Sequence, residues 1–528
     1  MISRSPLFRF ILGAGIFALA ALYGSAALLL PKPLTESASP EDFSAERAMS
    51  HVRALAQTPR LVGSPEMERT AGYLVEVLRS YGLDPEVQEI LSDAGTLRNV
   101  VVRLPGQDSS RALLILSHPD TAPLSPGAGD NASGVAVLLE VARALQAGAP
   151  TRNDIILLFD DGEEAGYLGG YAFARSHPWM KAVQYVIGLD TAAWGPVILL
   201  QTTPENSDLI NAYAQAVSNP SAFGFFADAD WNLISDDSEI QPFYEQGLPG
   251  LALEDPTAFA GKHSNQDRIE FVKPGSLQQM GEQTLALARY FGSLEPARLL
   301  HSDQSYFTLW KMGVVHYPAS WNIALVLLST LCLAILIIRD ISRKTTSFRS
   351  LMLSFLFFFL ATCAAMVFGF LAGILFAGIF PNTNSNVGSY LHPASLSFFL
   401  GSILILTLAF FVFRGKIVKA YDTQAVSLAG MLIWLLLSAT SVVLLPVGST
   451  VFTIPLSAGV LARFLPDRAS LLKMIPTVLA TILFIPNVDL IFLGSGLDGF
   501  VLVTIFVILN AESWAFYEVG SQAVLTMN

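Results

Sequence analysis

The chain has 528 residues, of which 52% are hydrophobic, and a formal net charge of −12. Binding to a nucleic-acid backbone requires a basic face, so this charge argues against a nucleic-acid partner. The two cysteines, Cys332 and Cys363, both lie in apolar segments. This placement argues against a framework of disulfides.

The N-terminal residues 1–30 are predicted to form a transmembrane anchor. Residues 10–30 contain no charged side chain, and a helix of this length spans roughly 30 Å of hydrocarbon. A cleaved signal peptide is the alternative, because Arg4 and Arg9 precede the apolar segment and small residues occur near its end. Signal-peptide cores are usually shorter, which favours the anchor. Residues 31–40 are predicted to be a linker.

Residues 41–300 have the pattern of an α/β domain. Four short apolar segments predict strands, and helical segments lie between them: RALLILS, NDIILLFD, VQYVIGLD and LPGLALE. Such alternation predicts a mostly parallel sheet with helices on both faces. A second linker is predicted at 301–320.

Residues 321–528 are predicted to form an all-α membrane domain of about seven helices. The uncharged spans are 321–338, 351–380, 394–413, 425–446, 448–462, 474–494 and 499–517. Lys and Arg occur in alternate linkers between these spans, and the positive-inside rule places those linkers and the N-terminus in the cytoplasm. We therefore expect a multi-pass protein of the lipid bilayer with residues 31–320 on the non-cytoplasmic side.

Polar residues follow the first predicted strand. His118 comes directly after RALLILS, and Asp120 could hold the free nitrogen of its imidazole ring. Asp130 lies in a glycine-rich turn before a predicted helix, where an aspartate is commonly only a helix cap. By themselves these residues are weak indications of a metal site.

The other strands add further candidate ligands. Glu163 and Glu164 follow the second strand, where adjacent carboxylates repel each other unless the loop is exposed or a cation compensates them. Asp190 ends the third strand and His263 follows the fourth. Because the carboxyl ends of parallel strands meet at one edge, these side chains are expected to converge. Nitrogen and oxygen donors together favour zinc over magnesium.

The order of the motifs HPD, GDNASG, GEE, LD and HS resembles that of the di-zinc aminopeptidase family. This family includes bacterial leucyl aminopeptidases, glutamate carboxypeptidase and the endoplasmic reticulum metallopeptidase, and the membrane domain is similar only to that of the last. The resemblance implies two Zn²⁺ ions, and it implies roles for eight residues. His118, Glu164, Asp190 and His263 would be terminal ligands, Asp130 the bridge, Glu163 the general base, Asp120 the partner of His118, and Asp237 a pocket residue.

The sequence does not decide which ligands share an ion, although family precedent places Glu164 opposite His118 and Asp190. Two positions depart from the family. Pro119 follows His118 where the relatives usually have an aromatic or aliphatic residue, and it restricts the backbone there. Asp190 replaces the glutamate of the endoplasmic reticulum relatives. Both departures keep the donor atoms.

The resemblance implies hydrolysis of a peptide bond at the free N-terminus of a peptide substrate, with water activated by zinc and Glu163 as the base. One alternative is a di-zinc carboxypeptidase or N-deacylase with an inserted dimerisation domain, but only 73 positions separate Asp190 from His263. Another is a non-catalytic receptor or transporter with a peptidase-like domain, but every ligand is retained. The sequence leaves the oligomeric state open.

The compartment is predicted from glycosylation signals. The one Asn-x-Ser/Thr site is Asn131, inside the proposed metal turn. A bacterial inner membrane, with the peptidase domain in the periplasm, is therefore favoured over an endoplasmic reticulum membrane.

Overall fold

The computed structural model describes residues 6–229, 238–259, 261–295, 302–379, 422–466 and 472–495. The chain divides into two compact units. One unit is Leu28–His316. The other joins Met1–Ala27, which contains helix α1 (Pro6–Ser25), to Tyr317–Asn528.

A seven-stranded sheet forms the centre of the unit Leu28–His316. Its strand order is β1-β2-β4-β3-β5-β7-β6. The strands are β1 (Glu86–Ser92), β2 (Gly95–Leu104), β3 (Asp108–Ser117), β4 (Asn153–Phe159), β5 (Val183–Leu189), β6 (Ile198–Thr202) and β7 (Gly250–Glu254). The four central strands, β4, β3, β5 and β7, are parallel to their neighbours within that group, whereas β1, β2 and β6 pair antiparallel. The parallel strands are the four that the sequence predicts.

Helices cover both faces of this sheet. They are α2 (Ala45–Leu55), α3 (Pro65–Ser80), α4 (Gly134–Ala147), α5 (Leu168–Ser176), α6 (Ser207–Ala216), α7 (Gly224–Ala229), α8 (Gln241–Tyr244) and α9 (Pro274–Ser293). Phe173 of α5 and Phe243 of α8 pack in one buried cluster with Ile156 of β4. On the other face α9 passes close to Ile155, the next residue of the same strand. Consecutive strand residues point to opposite faces, so α5 and α8 lie on one face of the sheet and α9 lies on the other. The predicted α/β fold class, with helices on both faces, is therefore confirmed.

Residues 301–320, which the sequence analysis gives as a linker, contain a β-hairpin. Its strands are β8 (Gln304–Leu309) and β9 (Gly313–Pro318), and they form a two-stranded sheet. Gly313 has a φ of 89°, a conformation that glycine adopts without a steric penalty. Tyr306 of β8 is buried, so this segment contributes to the core of its unit.

The second unit consists of apolar helices. After α1 they are α10 (Ser320–Ser342), α11 (Phe348–Ile379), α12 (Thr423–Leu444), α13 (Thr450–Ala462) and α14 (Ile475–Ser495). Four described segments are long and apolar enough to cross a membrane: Ser320–Ser342, Phe348–Ala372, Thr423–Leu444 and Leu472–Ile491. Gly15–Leu28 and Thr450–Ala462 are apolar but shorter. The predicted spans 394–413 and 499–517 lie outside the described residues.

Polar contacts join the helices of this second unit. The Arg463 guanidinium lies 2.8 Å from the carboxylate of Asp340 at the end of α10. The hydroxyl of Thr453 donates to Oδ1 of Asn322, at 2.8 Å, near the start of α10. Because lipid offers no alternative partner, such bonds favour one packing of the helices.

Candidate metal centre

All seven residues predicted to bind metal or act beside it lie at the carboxyl edge of the parallel strands. His118 and Asp120 follow β3, Glu163 and Glu164 follow β4, and Asp190 follows β5. Asp130 lies in the turn before α4, and His263 lies in the loop after β7. The structure therefore brings these residues together from five segments of the chain.

Asp130 lies between the two histidines. Its Oδ1 is 3.3 Å from Nε2 of His118, and its Oδ2 is 3.0 Å from Nε2 of His263. The Asp130 side chain is almost fully buried, with 2% exposed. A carboxylate whose two oxygens face two imidazoles has the arrangement required to bridge two cations.

Each histidine has a further carboxylate beside it. Oε2 of Glu164 lies 3.3 Å from Nε2 of His263, and Oδ1 of Asp190 lies 3.6 Å from Nε2 of His118. Ligand atoms of Asp130, Glu164 and His263 all lie within 4.8 Å of one another, as do those of His118, Asp190 and Glu239. Zinc is bound by such combinations of imidazole nitrogen and carboxylate oxygen, so the donor set fits two zinc ions.

Asp120 connects the first histidine to the two glutamates. Its carboxylate accepts hydrogen bonds from the backbone N–H groups of Glu163 and Glu164, both at 3.1 Å. Its Oδ1 also lies 3.4 Å from Nδ1 of His118. Asp120 therefore fixes the loop after β4 relative to the imidazole ring of His118.

The turn that carries Asp130 is fixed by a buried carboxylate, Asp267. Asp267 accepts hydrogen bonds from the backbone N–H groups of Gly129, at 2.6 Å, and Asp130, at 2.9 Å. A side chain at Gly129 would come within 2.8 Å of the same carboxylate. The peptide bond between Asp130 and Asn131 is cis. Asp267 is four residues after His263, so it ties the bridging residue to the loop of the second histidine.

A buried arginine, Arg60, holds the segment between His118 and Asp130. Its guanidinium donates to four backbone oxygens: Pro119 at 2.7 Å, Gly127 at 2.9 Å, and Leu55 and Pro126 at 3.0 Å. Burial lowers the pKa of Arg60 to about 10, although the charges of Asp267, Asp120 and Asp130 oppose this shift. Arg60 thus places a positive charge near the acidic side chains of the site and holds the backbone between His118 and Asp130 in place.

The carboxylates of the site have perturbed pKa values. Burial, together with the charges of Asp190 and Glu239, raises the pKa of Glu163 well above its ordinary value. Burial and the charge of Asp130 raise the pKa of Glu164 to about 7. A divalent cation would offset this repulsion, which is the arrangement expected of a metal centre.

A cavity of about 420 Å³ opens beside these residues. Its wall contains Lys262, whose Nζ donates to Oδ2 of Asp190 at 2.6 Å and to Oε1 of Glu254 at 3.1 Å. Glu239 lines the same cavity, and burial raises its pKa to about 8, with a further contribution from the charge of Asp190. Asp237, which the sequence predicts to shape the pocket, lies outside the described residues.

Sequence reasoning missed five residues around the centre. Glu254 ends β7 and Lys262 precedes His263, so both carried a usable signal, namely their position at the same sheet edge. Asp267 and Glu239 lie in loops whose paths the strand pattern does not predict. No motif marks Arg60, because its function depends on backbone oxygens more than fifty positions away along the chain.

Parts of this chain are similar to known proteins. Residues 99–288 match Peptidase family M28. The chain is 28% identical over 314 residues to endoplasmic reticulum metallopeptidase 1 of Rattus norvegicus, a match that covers 53% of this chain and 34% of that protein. It is 31% identical over 245 residues to the vacuolar membrane protease of Candida albicans (strain WO-1), covering 44% of this chain and 29% of that protein. The chain thus matches about a third of the length of these relatives.

Among solved structures, BSAP, a zinc aminopeptidase from Bacillus subtilis, is 15% identical with a TM-score of 0.40, over 50% of this chain and 98% of that one. The family match and the curated relatives confirm the resemblance that the motif order indicated.

Proposed function

We propose that this chain is a membrane-anchored metallopeptidase that uses two zinc ions to hydrolyse peptide bonds at a free N-terminus. The observation that carries the proposal is the position of Asp130, whose two oxygens face His118 and His263. The match of residues 99–288 to Peptidase family M28 supports the same reaction.

The side chains divide into two groups that share Asp130. His118 and Asp190 would hold one ion with it, and Glu164 and His263 would hold the other. When bound, two zinc ions would polarise the scissile carbonyl and lower the pKa of water at the site.

Glu163 is the group best placed to move protons. Its Oε2 lies 3.7 Å from Nε2 of His118, and its side chain lines the cavity without being a member of either ligand group. A carboxylate in this position can act as a general base. Glu163 would accept a proton from water and pass it to the leaving amine. Asp120 would keep Glu163 in position through the backbone N–H of Glu163.

The proposed topology places the peptidase unit outside the cytoplasm, in the periplasm if the membrane is bacterial. The linker between α10 and α11 contains Arg343 and Lys344, and the described helices on either side of it are long enough to cross a bilayer. By the positive-inside rule this linker is cytoplasmic.

Metal analysis and substrate profiling of the full-length protein in detergent test the activity. We expect two zinc ions per chain and hydrolysis of aminoacyl amides, with no cleavage of the same compounds after N-acetylation. Protein that binds no stoichiometric zinc after supplementation would refute the metal centre. Cleavage restricted to blocked peptides would refute the exopeptidase assignment.

Thiol labelling in intact cells tests the topology. In a variant with Cys332 and Cys363 replaced by serine, Ser110→Cys on the exposed part of β3 should react with a membrane-impermeant maleimide. Ser342→Cys at the end of α10 should react only after the membrane is permeabilised. The reverse pattern would place the peptidase unit in the cytoplasm.

A further inference from the structure

The cavity beside the metal centre contains more carboxylates than the proposed reaction uses. Five acidic side chains line it: Glu163, Glu164, Asp190, Glu239 and Glu254. The proposed function assigns the first three as base and metal ligands. The other two are buried, with 5% of Glu239 and 7% of Glu254 exposed, and neither has a role in the steps above.

Glu254 already has a cationic partner. Nζ of Lys262 donates to its Oε1 at 3.1 Å, so its charge is compensated within the protein. Lys262 also donates to Asp190 at 2.6 Å. A bound substrate would therefore gain little by competing for Glu254.

Glu239 differs from Glu254 in its hydrogen bonding. Among the described residues, its Oε1 is buried and accepts no hydrogen bond. A buried carboxylate oxygen without a donor costs free energy, and it is retained where a ligand supplies the donor. Glu239 also lines the cavity and has a carboxylate oxygen within 4.8 Å of the ligand atoms of His118 and Asp190.

In an aminopeptidase substrate the α-amino nitrogen is only two bonds from the carbon of the scissile carbonyl, which is held at the metal centre. The amino group must therefore lie within a few ångströms of the ligands of one ion. An ammonium group offers three N–H donors and a positive charge, so it can supply the hydrogen bond that no described residue donates to Oε1 of Glu239. A neutral N-acetyl group would leave Glu239 unpaired and would need additional space.

We propose that Glu239 binds the free N-terminal ammonium group of the peptide substrate and so makes the enzyme an aminopeptidase. This inference rests on the proposed peptidase function and names the residue that selects an unblocked N-terminus. Glu239 acts by binding, so its replacement should weaken substrate affinity more than it slows the chemical step.

Binding of amino acids and of their deamino analogues tests this role without turnover. Zinc-loaded full-length protein is titrated calorimetrically with L-leucine and with 4-methylpentanoate, which has the same carbon chain and carboxylate but no amine. L-phenylalanine and 3-phenylpropanoate form a second pair. We expect the wild-type protein to bind each amino acid at least about 10-fold more tightly than its analogue. Glu239→Gln should abolish this difference and still contain two zinc ions per chain.

Hydrolysis of aminoacyl amides gives a second readout. Glu239→Gln should raise KM by about 10- to 100-fold and change kcat much less. The matched control is Glu245→Gln, an exposed glutamate six positions further along that accepts a hydrogen bond from Tyr171 at 2.7 Å. It should behave as the wild type in both assays.

Three outcomes would overturn the inference. Equal binding of amino acids and deamino analogues by the wild type would show that no ammonium site exists. A preference for the amine that persists in Glu239→Gln would place the site elsewhere. Loss of one zinc ion in Glu239→Gln would make Glu239 a metal ligand instead.

The inference and the proposed function can fail separately. If the wild type cleaves no aminoacyl compound but the Glu239-dependent preference for amines is present, the peptidase proposal fails and the ammonium site stands. If aminoacyl amides are cleaved equally well by wild type and Glu239→Gln, with unchanged KM, the ammonium site fails and the peptidase stands.

Discussion

Glu163 and Glu164 are consecutive in the chain, but their carboxylates face different histidines. Oε2 of Glu163 lies 3.7 Å from Nε2 of His118, whereas Oε2 of Glu164 lies 3.3 Å from Nε2 of His263. The loop after β4 therefore presents two like side chains to two halves of one centre. Their proposed roles, base and ligand, follow from this difference in position and can be separated experimentally.

Glutamine at each position should produce a different defect. Glu163→Gln removes the proposed base, so turnover should fall by at least about 100-fold while both zinc ions remain bound. Glu164→Gln removes a charged ligand, so zinc content should fall from two ions towards one. Plasma emission spectrometry of the dialysed proteins and rates of aminoacyl amide hydrolysis measure the two effects.

Glu68→Gln, at an exposed position of α3, controls for the loss of one negative charge. Substantial activity in Glu163→Gln would reject Glu163 as the base. Unchanged zinc content in Glu164→Gln would reject Glu164 as a ligand.

The parallel strands and the proposed metal ligands could be predicted from the sequence for the same reason. β3, β4, β5 and β7 are buried on both faces, so they appear as continuous apolar segments, and each is followed by a polar cluster at the same edge. The outer strand β1 is partly exposed and has a weaker pattern, and the sequence analysis did not predict it.

The residues that support the centre could not be predicted from the sequence, because their roles depend on contacts between segments that are far apart in the chain. Asp267 acts through the backbone N–H groups of Gly129 and Asp130, more than 130 positions earlier in the chain. Backbone groups carry no sequence signal. The prediction for Asp237 stays untested because this residue lies outside the described residues, and Glu239, two positions later, lines the cavity without having been predicted.

Asp267→Asn should weaken zinc binding by about 10- to 100-fold, because the amide loses one of the two acceptors that hold the Asp130 turn. Competition with a fluorescent zinc chelator measures this change. Hydrolysis at saturating zinc should recover more fully than it does in Glu163→Gln, since Asp267 positions a ligand and does not take part in proton transfer.

Asp303→Asn is the matched control, because Asp303 accepts a hydrogen bond of 2.7 Å from the backbone N–H of Glu205 in a loop that contributes no metal ligand. Its zinc affinity should equal that of the wild type. Equal affinities for Asp267→Asn and wild type would show that the turn holds its shape without this carboxylate.

Arg60→Met should destabilise the peptidase unit by about 3 kcal/mol or more, because four carbonyl oxygens lose their donor and three of these hydrogen bonds are buried. Thermal unfolding of the zinc-free protein should shift to a lower temperature by several degrees. Arg69→Met removes an exposed arginine that pairs with Glu66 on α3, and it should shift unfolding little. Similar shifts for the two variants would contradict the role assigned to Arg60.

The protonation of His51 should make the stability of the peptidase unit depend on pH. Its Nδ1 lies 2.7 Å from the hydroxyl of Tyr73, and its Nε2 lies 3.0 Å from that of Tyr81. Burial lowers the pKa of His51 from 6.5 to about 4, and the charge of Glu140 opposes the shift only partly. The folded protein therefore keeps this imidazole neutral at a pH where the unfolded chain protonates it.

Protonation of His51 is linked to unfolding, because the unfolded chain binds this proton more readily than the folded protein does. The stabilising contribution of a neutral His51 is complete above pH 6.5 and is lost as the pH falls from 6.5 to about 4. Its size is on the order of 3 kcal/mol. Unfolding temperatures measured across this range should fall less steeply for His51→Gln than for the wild type. Tyr73→Phe removes one hydrogen bond but leaves the titrating ring, so it should lower stability without flattening the slope. Parallel curves for the wild type and His51→Gln would show that protonation of His51 is not linked to folding.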